Sequence, residues 1–411
     1  VTVCGLGVSG TAAAEVLLRL GARVTVVDAK GDPTRAAAVE ALGARVVLGE
    51  DDPAVDAELV VTSPGWRPTQ PYLARQTVPV WGEVELAWRL KPGWQRWYAV
   101  TGTNGKTTTT EMLGAILARG ERSSATAGNI GTPLVSVVTR PEPPELLAVE
   151  LSSFQLHWTQ TLDVTAAAIL NVAPDHLDWH GSFDAYAADK RRVWGPTTTA
   201  VYDASDPVVA SLAHGLADVV PVTPYDGPLT ARGPHNLANA SAAATLARVA
   251  GASKDEIEGA LGDFTTGGHR LVLVGTVDGV AYVDDSKATN PHAAQRAIES
   301  YEHVVWIAGG LNKGLSFDDL VAATRERIRA VVLIGTCKDE VRDALRRHAP
   351  EVPVTDAGDL HTAVEAARRH ARAGDVVLLA PAAASMDQFT DYADRGDRFA
   401  DEVRALEGSR S

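Results

Sequence analysis

Two glycine-rich loops, Gly5-Leu6-Gly7-Val8-Ser9-Gly10 and Gly102-Thr103-Asn104-Gly105-Lys106-Thr107-Thr108, each stand between a short apolar run and a segment of helical periodicity. A strand that enters such a turn and leaves as a helix starts a βαβ unit, because glycine accepts the tight turn and lets a ligand approach the first helical N–H groups. Two such starts imply two separate sheets. The alternation continues along the chain in VTVC, RVTVVD, ARVVLG and ELVVTS, then WYAVTG and ELLAVE, and later VVWIAG, AVVLIG and DVVLLAP. Val- and Ile-rich runs with no polar alternation suit parallel strands covered on both faces. An α/β fold follows, and 411 residues at roughly 150 per domain predict about three domains.

Turn-rich stretches at Lys91-Pro92-Gly93 and Thr265-Thr266-Gly267-Gly268 mark the expected borders. They divide the chain into a Rossmann-like N-terminal domain (1–91), a central P-loop ATPase-type domain with a parallel sheet (92–267) and a C-terminal Rossmann-like domain (268–411). The opening VTVCGLG reads as a strand running into a loop, not as a basic and apolar leader. No window approaches the ~20 apolar residues of a membrane span.

The 38 basic and 52 acidic residues give a net charge of −14, which argues against nucleic acid or an anionic membrane as partner. An anionic ligand must then be held by locally placed Lys, Arg, backbone N–H or metal ions. Cys4 and Cys337 are the only cysteines; they build neither a disulfide framework nor a zinc site, and a reducing cytosol fits them.

The first glycine loop, with Asp28 ending the next strand, fits a pyrophosphate site. The physics of the loop would admit any nucleotide diphosphate, and a turn made for packing alone is the plainer alternative. Ser63-Pro64-Gly65 ends a later strand and could line the same crevice. The second loop leads into a helix whose apolar face carries Met112, Leu113, Ile116 and Leu117. Here backbone N–H groups would cradle phosphates, Lys106 would neutralise the β and γ oxygens, and the Thr107 hydroxyl would reach Mg²⁺. The loop is short: four residues between the glycines would require glycine at position 100, where Val100 stands.

Glu150, at the end of an apolar run, is a candidate metal ligand beside that loop, or simply a solvated strand end. Asn171-Val172-Ala173-Pro174-Asp175-His176-Leu177-Asp178 closes another strand and offers His176 as a second ligand. His176 and His180 have the spacing of a helical pair, but Pro174 and Gly181 are expected to crowd out a helix. Lys190, beside Arg191 and Arg192, reads from spacing alone as the solvated face of an amphipathic helix.

These segments, GTNGKTTTT, the Gly128-Asn129-Ile130-Gly131 loop, VELSSFQL, ILNVAPDHLDWH, the Lys190 helix, HNLANASAA, GGHR, DDSKATN, GGLNKG and LLAPAAASMDQF, stand in the order found in the Mur ligases. The sequence resembles that family over nearly its whole length, most of all the members that add D-glutamate. The resemblance implies an ATP-dependent ligase that phosphorylates the carboxylate of UDP-N-acetylmuramoyl-L-alanine and lets D-glutamate attack the acyl phosphate. It implies that Gly102, Thr103, Asn104, Gly105, Lys106, Thr107 and Thr108 hold ATP. Thr107, Glu150 and His176 would serve Mg²⁺, with Mn²⁺ an alternative. Asn129 would position phosphates or substrate, and Asn236 and Asn239 would face the adenine. Lys190 matches a lysine that the family converts to a carbamate able to support a metal.

By the same likeness Arg270, Asp285 and Lys287 belong to the ATP site, while Thr289, Lys313, Ser385 and Tyr392 contact D-glutamate. Tyr392 stands where the family pattern leads one to expect Phe. Val8, Ser9 and Gly10 would face the UDP diphosphate, Asp28 the uracil end and Gly65 the sugar, with Asn129 and His176 toward the reacting carboxylate. The expected partners are small molecules, with no nucleic acid or membrane, and a monomer is expected. Three rivals stay open at this point: another amide ligase of the superfamily, adding L-alanine or extending folates; a nicotinamide dehydrogenase built on the first loop; and a nucleotide-dependent switch without turnover.

Overall fold

Three sheets form where the apolar runs fall. The computed structural model describes residues 1–408 apart from Lys30, Asp51, Arg232 and Thr266, so one residue of the expected second border lies outside the described residues. The first sheet contains β1 (Thr2–Cys4), β2 (Thr25–Asp28), β3 (Arg45–Leu48), β4 (Val60–Thr62) and β5 (Val80–Gly82), all parallel, in the order β3-β2-β1-β4-β5. Strand order reverses between β1 and β4, and at such a switch point the carboxyl ends of the strands open a crevice.

The second sheet contains β6 (Arg96–Thr101), β7 (Ser124–Gly128), β8 (Leu146–Glu150), β9 (Ala166–Ile169), β10 (Thr199–Tyr202) and β11 (Val219–Pro221), again all parallel, in the order β11-β10-β9-β6-β8-β7. β6 lies between β8 and β9, so the loops after these three strands converge. The third sheet contains β12 (Val272–Val277), β13 (Val280–Asp284), β14 (Val304–Ala308), β15 (Ile328–Ile334), β16 (Val354–Gly358) and β17 (Val376–Leu379), in the order β12-β13-β17-β14-β15-β16. Only β12 is antiparallel, the return of a hairpin with β13.

The chain separates into two compact units. One holds Val1–Val172, Ser182–Arg232 and Asn236–Phe264; the other holds Ala173–Gly181, Gly233–His235 and Thr265–Ser411. The first two sheets share the first unit because one apolar cluster, including Val3, Val26, Val84, Trp97, Leu134 and Leu147, runs through both. Two carboxylates of the helix Glu83–Leu90 add polar ties across it. Glu85 accepts the N–H groups of Gln160 and Thr161 at 2.8 and 3.0 Å, and Glu83 accepts the Val135 N–H at 2.6 Å. Among the described residues no helix is long and apolar enough to cross a membrane. Both cysteines are free and buried.

Glu83 is 2% exposed, and its Oε2 has no hydrogen-bond partner among the described residues. Burial pushes its carboxyl up to about 7, against the pull of the Val135 and Leu134 amides. A carboxyl raised above its unfolded value of 4.5 binds more protons folded than unfolded, so its contribution to stability falls as pH rises from about 4.5 to 7 and is flat above. Relative to the unaltered protein, Glu83→Gln is therefore expected to gain on the order of 3 kcal/mol between pH 5 and pH 8. Urea unfolding followed by tryptophan fluorescence measures this, and parallel stability curves would count against it.

Candidate active site

Glycine is required at the first loop by close approach. A Cβ on Gly10 would overlap the Gly5 carbonyl oxygen, and one on Gly5, at φ 100°, would meet the Ser63 side chain. The Asp28 carboxylate fastens the loop by accepting the Leu6 N–H at 2.6 Å and the Gly31 N–H at 2.9 Å. The helix Val8–Arg19 then begins with Val8 exposed. Gly65, in the turn after β4, has open space at its Cβ position. Val8, Ser9, Gly10, Asp28 and Gly65 thus gather at the β1/β4 switch point, and the Ser63 N–H joins the two strand ends by donating to the Cys4 carbonyl at 2.8 Å.

At the second loop β6 runs unbroken to Thr101, with Val100 paired to Glu150 on one side and Ala168 on the other. Gly102 follows at φ 156° and Gly105 at φ 84°, and the helix Lys106–Leu117 begins at once. Its first turn directs N–H groups out of the helix end, which favours an anion there. The Lys106 ammonium folds back over the loop and donates to the carbonyls of Gly102 and Thr103, both at 2.9 Å. Thr103 Oγ1 and the Tyr186 hydroxyl lie 3.0 Å apart. A Cβ on Gly105 would overlap Asn239 Oδ1, which brings the helix Pro234–Val249 against the loop, and Asn239 donates in turn to Asn236 at 3.4 Å.

Glu150 is 1% exposed, so the reading of a solvated strand end is corrected: its side chain is buried, and its backbone is paired with β6 and β7 on either side. One oxygen accepts from Asn129 Nδ2 at 2.7 Å, while Oε2 is buried with no hydrogen-bond partner among the described residues. A desolvated carboxylate oxygen left open beside a phosphate loop suits a hard cation. Among the described residues no three His, Cys, Asp or Glu side chains gather as a metal cage. An ion carried on phosphates takes one or two protein ligands and keeps water on the rest. Glu150 could hold such an ion, and Thr107 stands in the first turn of the helix that follows the loop.

Lys190 corrects a second expectation. It is 1% exposed, donates to the Gly102 carbonyl at 2.8 Å and lies 4.5 Å from the Tyr186 ring centroid. The buried face of the helix Phe183–Arg191 includes Tyr186, Ala187 and Lys190, one turn apart, so the lysine points inward while Arg191 and Arg192 stay partly exposed.

His176 belongs to the other compact unit. It sits at φ 54° ahead of a single helical turn, Leu177–His180, that forms in spite of Pro174 and Gly181. Its neighbour Asp175 gathers the surroundings: it accepts the His176 N–H at 2.9 Å and Asn290 Nδ2 at 3.2 Å, and its Oδ1 lies 3.5 Å from the Lys313 ammonium. In the same unit the Lys287 ammonium stands 3.6 Å over the Tyr392 ring. Asp285 accepts the Leu271 N–H at 3.2 Å; burial, reinforced by the Asp284 charge and opposed by that amide and Arg270, raises its carboxyl to about 7. Thr289 and Ser385 lie in the loops after β13 and β17, which the Ala382 N–H joins by donating to the Ala288 carbonyl at 2.9 Å.

Several residues with clear structural roles here escaped sequence reasoning. Asn171 and Tyr186 hold the phosphate loop, and Asp175 binds Lys313. Arg395, fully buried, ties the Ser286 and Ala383 loops through bonds of 2.8 to 3.2 Å. His269 lies 2.6 Å from Asp284. Asn171, Asp175 and Tyr186 all stood inside or beside motifs already singled out, which was the available signal.

The chain matches the family models described as Mur ligase MurD-like, N-terminal domain (residues 1–80), Mur ligase middle domain (100–226) and Mur ligase, glutamate ligase domain (269–383). It is 54% identical to the UDP-N-acetylmuramoylalanine--D-glutamate ligase of Frankia casuarinae over 99% of this chain and 94% of that protein. Identity to the protein of the same name from Streptomyces coelicolor is 48%, over 99% of this chain and 98% of that one. Among solved structures the MurF ligase of Thermotoga maritima in complex with ADP superposes with TM-score 0.66 at 18% identity, covering 95% of this chain and 96% of that one. A pseudomurein peptide ligase type C from Methanothermus fervidus gives 0.62 at 18%, covering 98% and 99%; at these identities both speak for the fold alone. The chain belongs to the Mur ligase family.

Proposed function

We propose that this chain is an ATP-dependent ligase that joins D-glutamate to UDP-N-acetylmuramoyl-L-alanine, releasing ADP and phosphate. The short phosphate loop beside a buried carboxylate with an open oxygen carries the ATP part of the reading. The name shared by relatives at 54% and 48% identity supports the choice of substrates. We take residues 1–91 as the UDP-sugar domain, 92–267 as the ATP domain and 268–411 as the D-glutamate domain. We assign the reaction to the cytosol and the working form to a monomer.

In this reading the N–H groups of the first turn after Gly105 and the Lys106 ammonium hold the triphosphate in line with the incoming carboxylate. A bound Mg²⁺ would offset charge on the phosphates, with Thr107 and Glu150 among its protein ligands; His176 and a carbamylated Lys190 are each assigned as metal ligands as well. A carboxylate oxygen of the muramoyl-alanine attacks the γ-phosphorus and the bond to ADP breaks. The D-glutamate amine then adds to the acyl carbon, loses a proton, and expels phosphate from the tetrahedral intermediate. Asn129 orients Glu150, and Asn236 and Asn239 flank the nucleotide base. We assign Arg270, Asp285 and Lys287 to ATP; Thr289, Lys313 and Ser385 receive the two D-glutamate carboxylates, and Tyr392 packs against D-glutamate. Val8, Ser9 and Gly10 bind the diphosphate, Asp28 shapes the loop toward the uracil end, and Gly65 leaves room for the sugar.

Phosphate release from ATP, measured with UDP-N-acetylmuramoyl-L-alanine and single amino acids, tests this. Release is expected with D-glutamate and should be weak with L-glutamate or L-alanine. Release that follows L-alanine on the unextended UDP-sugar, or NADH oxidation without ATP use, would replace the proposal with one of its rivals.

A further inference from the structure

In this phosphate loop two residues that a longer loop would spend on its turn are still strand, since β6 continues to Thr101 and Val100 is paired on both sides. The turn that remains must hold the Thr103 and Asn104 backbone in place ahead of the helix. Asn171, just past the end of β9 and 8% exposed, meets this need from outside the loop. Its Oδ1 accepts the Asn104 N–H at 2.9 Å, its Nδ2 donates to the Asn104 carbonyl at 3.0 Å, and its own carbonyl accepts the Thr103 N–H at 2.9 Å. The side-chain amide thus pairs with both polar groups of one residue, as a neighbouring strand would. A Cβ on Gly102 would crowd Leu170 and the Asn171 backbone nitrogen, so the contact depends on glycine there as well.

We propose that Asn171 is a positioning residue for ATP, its carboxamide and carbonyl holding the short loop from the neighbouring strand end. By fixing Thr103 and Asn104 it leaves the N–H groups of the following helical turn, from Gly105 onward, aimed at the phosphates. This rests on the ATP reading above. A packing role would ask only for the size of asparagine, which aspartate shares. The latch asks for a donor opposite the Asn104 carbonyl, which a carboxylate lacks and would oppose.

The test is ATP binding by calorimetry, in Mg²⁺ and on the full chain, for the unaltered protein, Asn171→Ala and Asn171→Asp, with KM for ATP and for D-glutamate and melting curves alongside. Both variants are expected to weaken ATP about tenfold or more, Asp at least as much as Ala, with KM for D-glutamate within about twofold of normal. Should Ala fail to fold, the isosteric Asp carries the comparison. Normal ATP affinity in Asp, or a loss spread equally over both KM values and the melting temperature, would overturn the latch. An unaltered protein that takes up no ATP would instead overturn the nucleotide reading itself.

Discussion

Lys106→Ala is expected to cut turnover by two to three powers of ten, about 3–4 kcal/mol of transition-state stabilisation. The effect is large because the charge sits over the loop. Its ammonium is anchored by two carbonyls at 2.9 Å, above the turn that would carry the phosphates. Negative charge is redistributed as the γ-phosphoryl group moves, and a preorganised cation meets it without rearranging. Lys106→Arg is expected to recover little, because the wider guanidinium fork cannot occupy the point between the Gly102 and Thr103 carbonyls. Steady-state phosphate release at saturating substrates, with melting curves to verify the fold, is the measurement. A near-normal rate in Lys106→Ala would mean that this loop is not where ATP reacts.

How far the sequence foretold this arrangement depended on the range of the interactions involved. The apolar runs became strands because a parallel strand buried on both faces leaves a continuous signature, as β8 does with all five of its residues buried. The glycine loops were legible for a similar reason: local backbone geometry demands glycine at Gly5 and Gly105, both at positive φ. What stayed hidden was carried by contacts distant in sequence. Glu83 and Glu85 look like ordinary first-turn acids of a helix, yet they reach amides 52 and 75 residues away. Asn171 resembles a turn former after a strand, and only the convergence of β6 and β9 reveals its partner.

Lys190 failed for a different reason. The periodicity was present, since Tyr186 lies one turn before it on the same buried face, but a lysine among arginines suggests solvent because burying an ammonium is costly. Tyr392, where Phe was expected, carries the Lys287 ammonium over its ring, a contact phenylalanine would also make, so nothing in the structure explains the hydroxyl.

Burial at that cost also sets the last expectation. Lys190→Ala should lose nearly all activity, on the order of a thousandfold, and short carboxylates such as acetate or propionate should restore part of it. The side chain occupies a buried position with its nitrogen 2.8 Å from the Gly102 carbonyl, so truncation opens space beside the phosphate loop. Two roles compete for that nitrogen. As an ammonium it is a strut that steadies Gly102, and a small carboxylate could not replace it, since a carboxylate would repel the same carbonyl. As a carbamate formed with CO₂ it is an anion in the same unit as Glu150, and two buried anions persist together only when a cation holds them. An added carboxylate then restores the lost charge. Rescue in Lys190→Ala, together with a carbamate resonance from the unaltered protein in ¹³C-bicarbonate, would assign the second role. Loss of activity without rescue or resonance leaves the strut, and full activity in the unrescued variant removes Lys190 from the reaction altogether.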